Sequence, residues 1–122
     1  MERKEIYSVD QVLSEVKPYN RKEGKRYVDF DGDSMKMESQ RYRLFKRDGC
    51  ACVKCGLEGT YFAKERHVEK DPYHFNLYGV NEAGEEVLIT KDHILAKSNG
   101  GKDILSNYQV MCFPCNHEKA NK

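Results

Sequence analysis

The sequence predicts a small α+β domain held together in part by a bound metal, and three observations carry that prediction. Two Cys-x-x-Cys pairs, Cys52/Cys55 and Cys112/Cys115, lie in a chain with no apolar leader segment. In that setting paired cysteines are metal ligands before they are disulfides. Between the pairs, Tyr61–Val68, Tyr73–Val80 and Glu86–Thr90 have the composition and alternation of strands. Upstream, Ser8–Lys17 and Met35–Arg47 space their apolar residues as helices do. The composition agrees: 34% of the 122 residues are charged and the mean hydropathy is -0.85. Such a chain has apolar material for only a modest core and is expected to need a staple.

Taken in order, Val9, Val12, Leu13 and Val16 form the apolar stripe of the first helix, with Ser8 as its N-cap and Pro18 as its stop. A turn through Asn20–Gly24 leads to a short strand, Lys25–Phe30, and to a turn cluster at Asp31–Ser34. Asp29, Asp31 and Asp33 have the alternate spacing of a calcium loop. Ser34 stands where that loop needs glycine and Gln40 where it needs glutamate, so a solvated turn is the better reading. The second helix, Met35–Arg47, closes at Asp48-Gly49 and turns Tyr42, Leu44 and Phe45 inward. Its basic residues Arg41, Arg43, Lys46 and Arg47 are candidate contacts to a phosphate backbone, or simply a solvated face. Asn81–Gly84 reads as a hairpin loop between the second and third strands of the middle sheet.

Each Cys-x-x-Cys can chelate from one turn, and two of them complete a tetrahedron without an open position, which describes a structural Zn²⁺. Gly56, after the first pair, lets the backbone turn round the metal, while Cys50 falls outside the spacing as a spare thiol.

The last third, Thr90–Lys122, carries the candidate chemistry. The third strand delivers Asp92-His93; a loop, Ile94–Asn99, follows, and Gly100-Gly101 makes a tight turn. Asn107 precedes a second short strand, YQVMC, and FPCNHEKANK reads as a terminal helix with Pro114 near its start. Asp and Asn oxygens suit a hard divalent cation, and a histidine can move a proton near neutral pH.

The pattern DHI…SNGG…N…C-x-x-C-N-x-x-K, with C-x-x-C-G upstream, resembles the HNH endonuclease family. The resemblance spans Cys52–Lys119 and implies a ββα-metal (His-Me finger) core pinned by the Cys₄ zinc. The hairpin between Cys55 and Asp92 is then an insertion, residues 50–122 the nuclease module, and residues 1–49 a helix-strand-helix extension. It implies that His93 is the general base and that Asp92 and Asn116 ligate one catalytic cation, Mg²⁺ or another such as Mn²⁺. Asn107 holds His93 or its loop in place. Asn116 makes this a His-Asn-Asn variant, and the neighbouring His117 leaves open which of the two faces the metal. Lys119, on roughly the face of Asn116, is placed to contact a phosphate oxygen.

The implied activity is hydrolysis of DNA phosphodiesters, nicking or cutting both strands, with 5′-phosphate and 3′-hydroxyl products. The other readings are the same chemistry on RNA and a non-catalytic zinc-knuckle module that binds nucleic acid. A net charge of +1 rules out a strongly basic domain, so the nucleic-acid expectation rests on the site. Double-stranded DNA is the expected partner, with a homodimer or a second protein supplying specificity. The chain has no run long enough to span a membrane, and a cytoplasmic setting in a bacterium or phage-infected cell is expected. Phages, mobile elements and defence systems are the settings the resemblance suggests.

Overall fold

The computed structural model describes residues 1–18, 20–22 and 24–120. Glu23, within the turn expected at Asn20–Gly24, lies outside them, as do the last two residues of the expected terminal helix. The architecture is α+β. A five-stranded antiparallel sheet is ordered β1-β4-β5-β6-β7, and β2 and β3 form a separate two-stranded ribbon. The large sheet comprises β1 (Glu2–Ser8), β4 (Tyr61–Arg66), β5 (His74–Val80), β6 (Glu86–His93) and β7 (Tyr108–Cys112).

The edge strand β1 was not legible as a strand. Its sequence, ERKEIYS, has one buried residue, Tyr7. It is held instead by cross-strand ion pairs: Arg3 bonds Glu65 at 2.7 Å and Glu86 at 2.6 Å, and Arg66 bonds Glu2 at 2.9 Å. A charged edge also resists pairing with other chains.

The first helix, α1 (Val9–Leu13), is shorter than the periodicity suggests. Ser8 caps it as expected, in a capping box with Gln11. The chain then tightens, with Glu15 and Val16 N–H bonding to Val12 and Leu13 carbonyls, so Val16 reaches the core from a turn, before Pro18.

The second helix is also corrected. Met35 and Lys36 belong to β3 (Asp33–Lys36), which pairs with β2 (Tyr27–Phe30), and α2 runs only over Gln40–Asp48 with Ser39 as its cap. The cause is the two-residue turn Asp31-Gly32, where both residues have positive φ, 51° and 93°. That conformation matches the twist of a hairpin and commits the next residues to a returning strand. Lys64 fastens this ribbon to the sheet, its buried ammonium bonding Phe30 O at 2.8 Å and Asp33 at 2.9 Å.

One core fills the space between α2, the ribbon and the large sheet. Phe75 sits at its centre, edge-to-face with Phe30 at 4.8 Å and Phe62 at 6.1 Å. Tyr42, Leu44 and Phe45 of α2 are buried there as expected. The hairpin loop at Asn81–Gly84 is also as expected, with Asn81 Oδ1 accepting from the Ala83 and Glu85 amides. Downstream, β6 runs through His93, a loop returns to β7, and α3 (Phe113–Ala120) packs back on β6 and β7.

Candidate active site and metal centre

The cysteine cluster forms where two local turns meet. Gly56 N–H bonds to Cys52 O, and Cys52 N–H to Leu57 O, both at 2.9 Å, closing the first pair into a tight knuckle. Val53 N–H bonds Val110 O at 2.9 Å, which ties the knuckle to β7 two residues before Cys112. Cys115 comes from the first turn of α3. The four sulfurs lie within 4.8 Å of one another, and Cys55 and Cys112 Sγ are 3.7 Å apart. A tetrahedron with metal–sulfur bonds of about 2.3 Å has edges of about 3.8 Å, so the donor set and spacing fit Zn²⁺. Burial opposes ionisation of Cys52, but the amides of Cys55, Cys112 and Lys54 outweigh it and pull the thiol down to about 6. Burial and the neighbouring sulfurs push Cys115 the other way. Four thiolates this close require a cation among them. Cys50 is apart from the cluster, buried, with its thiol pushed up to about 11 by burial and then by Glu58.

The second site is a cleft of about 390 Å³ at the far end of β6 and α3, lined by Asp92, His93, Lys97, Asn116 and Lys119 among others. Four residues singled out in the sequence, Asp92, His93, Asn116 and Lys119, therefore come together. Asp92, nearly buried, accepts on Oδ2 from Gln109 Nε2 at 2.9 Å and from the Lys119 ammonium at 2.6 Å. Lys119 also donates to His93 O at 2.7 Å, so it clamps the end of α3 to the end of β6. Thr90 Oγ1 donates to Met111 O at 2.6 Å and must therefore accept from Asn116 Nδ2, at 2.9 Å. Asn116 Oδ1 is left for another partner. Asp92 and Asn116 thus bring side-chain oxygens to one cleft, with the Lys119 ammonium held against Asp92. His117 does not line the cleft: its ring stacks on Phe113 with centroids 5.9 Å apart.

Asn107 does not bond the His93 side chain. It holds the loop, accepting from Leu95 N–H at 2.9 Å and donating to Leu95 O at 3.1 Å and Lys102 O at 2.9 Å. The partner of His93 is Asp103, with Oδ1 2.7 Å from Nε2. Asp103 bonds Lys97 at 2.8 Å, and Lys97, then His93, hold its carboxyl down to about 2. An ionised carboxylate only accepts, so in this contact Nε2 is the donor. Tyr108 meets the His93 ring edge-to-face at 4.8 Å. Nothing in the sequence marked Asp103, Lys97, Gln109 or Thr90: the contacts of Gln109 and Thr90 follow from the register of β6 against β7, and those of Asp103 and Lys97 from the path of the loop between them.

The basic residues of α2 serve the fold. Arg41 donates to Asn76 Oδ1 at 2.9 Å and to Phe75 O, and Lys46 to Val16 O at 2.6 Å. Arg47 bonds Asp48 at 2.7 Å and reaches the carbonyls of Leu105 and Tyr108 at 3.2 and 3.3 Å. Arg43 is half-buried on the same helix.

Residues 81–122 match the HNH endonuclease family. The HNH match covers β6, β7 and α3, and contains Asp92, His93, Asn107, Asn116 and the second cysteine pair. Cys52 and Cys55 lie upstream of it, so half of the metal cluster is supplied from outside the HNH segment. No curated protein and no solved structure gives a significant match. The match is to a family of endonucleases and covers about a third of the chain. Among the described residues no helix is long and apolar enough to cross a membrane.

Proposed function

We propose that the protein is a metal-dependent endonuclease that hydrolyses DNA phosphodiester bonds, with β6, β7 and α3 as a ββα-metal core. The observation that carries this reading is the convergence of Asp92, His93, Asn116 and Lys119 on one cleft. His93 Nδ1 takes the proton from a water as that water attacks the scissile phosphorus. Asp103 fixes the tautomer and orientation of the ring from Nε2. Asp92 and Asn116 would hold a divalent cation, Mg²⁺ or Mn²⁺, which would supply charge neutralisation at the scissile phosphate and the departing 3′-oxygen. Lys119, which bonds Asp92 here, would then be free to contact a phosphate oxygen. Asn107 keeps the loop, and with it Asp103, in register. The cysteine site carries Zn²⁺ in a purely structural role.

The test is cleavage of supercoiled plasmid, linear duplex, single-stranded DNA and RNA, with and without added Mg²⁺, followed by mapping of product ends. Mg²⁺-dependent DNA products with 5′-phosphates are expected, and His93→Ala should abolish them while zinc content and melting stay unchanged. Retained cleavage by that variant would remove His93 as the base.

A further inference from the structure

A second groove of about 470 Å³ opens beside the cleft, between the β2–β3 ribbon, the start of α2 and the ends of β5 and β6. Lys36, Arg41, His74 and Lys91 line it, together with tyrosines, and no carboxylate does. The chain has 21 basic and 20 acidic residues, so this is a segregation of charge and not a reflection of composition. Arg41 is anchored on neutral oxygens, an amide and a carbonyl, and keeps its charge. Lys91 rests its ammonium 4.3 Å over the Tyr108 ring. Among the described residues neither forms an ion pair. Lys91 and Arg41 thus share a groove whose lining holds no carboxylate, an arrangement that a bound anion would stabilise.

The groove and the cleft are neighbours along β6, Lys91 lining the first and His93 the second. Lys91 and His93 are two apart on β6 and share a face, and both contact the Tyr108 ring. Gln40, on the groove wall, donates to Asp103 O at 3.2 Å. At the outer end Tyr27 is 55% exposed and pairs across the ribbon with Lys36. Lys36 is 3.6 Å from Glu38, a surface pair that leaves it able to exchange partners. An exposed tyrosine beside cations is the arrangement that stacks a base and tracks a backbone.

We propose that this groove receives the nucleic-acid strand flanking the scissile phosphate, with Lys91, Arg41 and Lys36 on its phosphates and Tyr27 stacked on a base. The inference rests on the nuclease reading and adds the path of the substrate. It also gives Arg41 a role besides bracing α2.

The test uses the full chain carrying His93→Ala, which binds without cutting, and end-labelled 12-nucleotide single strands and duplexes across a salt series. Tyr27→Ser should weaken binding by between about fivefold and a hundredfold, the range of one lost base stack. Lys36→Gln should weaken binding and reduce the salt slope by about one. The same changes in the active chain should lower kcat/KM in step. Lys22→Glu, a charge change outside the groove, should alter neither. If Tyr27→Ser and Lys36→Gln bind as tightly as the parent while the active chain still cuts, the groove proposal alone is overturned. If the active chain neither binds nor cuts, the nuclease reading falls with it.

Discussion

Replacing Gly101 with alanine should separate the chemistry of the cleft from the stability of the fold. A Cβ at Gly101 would lie 1.8 Å from Leu95 O and 2.9 Å from Ala96 O, where ordinary contact begins at 3.4 Å. Both obstacles are backbone, so no rotamer relieves them, and the two sides of the loop must part by about 1.6 Å at the closest point. Leu95 cannot move alone, since its N–H and carbonyl are both bonded by Asn107. Asp103, two residues beyond Gly101, holds His93 at 2.7 Å. The displacement therefore reaches His93, the proposed base, and a misplacement of about 1 Å can lower a rate by roughly 100-fold. On that reasoning kcat for plasmid nicking at saturating Mg²⁺ should fall by about 100-fold in Gly101→Ala. Zinc content should hold, because the cysteine cluster is at the opposite end of β7 and α3. Gly84→Ala is the comparison. It imposes a φ of 79° on alanine in the distant hairpin, and should cost about 1–2 kcal/mol of stability with no change in kcat. A Gly101→Ala protein within threefold of the parent would refute the coupling of loop to base.

Two further outcomes follow from the contacts. Cys112→Ser should lose the metal and the cooperative melting of the C-terminal module, measured by metal analysis and calorimetry, since a structural zinc contributes on the order of 10 kcal/mol, comparable to a whole domain's stability; unchanged zinc and melting would remove the structural reading of the cluster. Asp103→Ala should lower kcat at least tenfold with substrate affinity held and shift the His93 ring toward a mixture of tautomers in its ¹⁵N resonances, because the acceptor that selects Nε2–H is gone; an unchanged tautomer and rate would show the contact to be incidental.

What was legible in the sequence was what short spacing determines. Two cysteines three apart chelate from one turn, Ser8 caps the first helix, and Asn81–Gly84 closes a hairpin, each through contacts within a few residues. The candidate site was legible because Asp92, His93, Asn107 and Asn116 are distinctive as a set, although none is so alone. What escaped depends on partners far along the chain. β1 is a strand because Arg3 finds Glu65 and Glu86 on β4 and β6, and its own composition points to solvent. The start of α2 was misplaced because helical spacing at Met35 was outweighed by the Asp31-Gly32 turn before it. Asp103 was an ordinary loop acid until the β6–β7 register brought Tyr108 opposite His93 and the loop closed over them.

The shortness of α3 explains why the metal cluster and the cleft belong together. An isolated helix of eight residues is not stable in water, because its nucleation cost is not recovered over so few bonds. Its apolar content does not compensate, since none of its residues is fully buried. Its position must then come from its attachments, and these are polar. Cys112 and Cys115 fix its start, Asn116 bonds Thr90, and Lys119 bonds Asp92 and His93 at its end. The first attachment is independent of the cleft, as is a surface ion pair of Glu118 with Lys54 at 3.5 Å. The others are made by the residues proposed to carry the chemistry, and in that proposal Lys119 gives up Asp92 to a cation. On this geometry the sulfurs would still hold the first turn of the helix, one peptide bond away from Asn116.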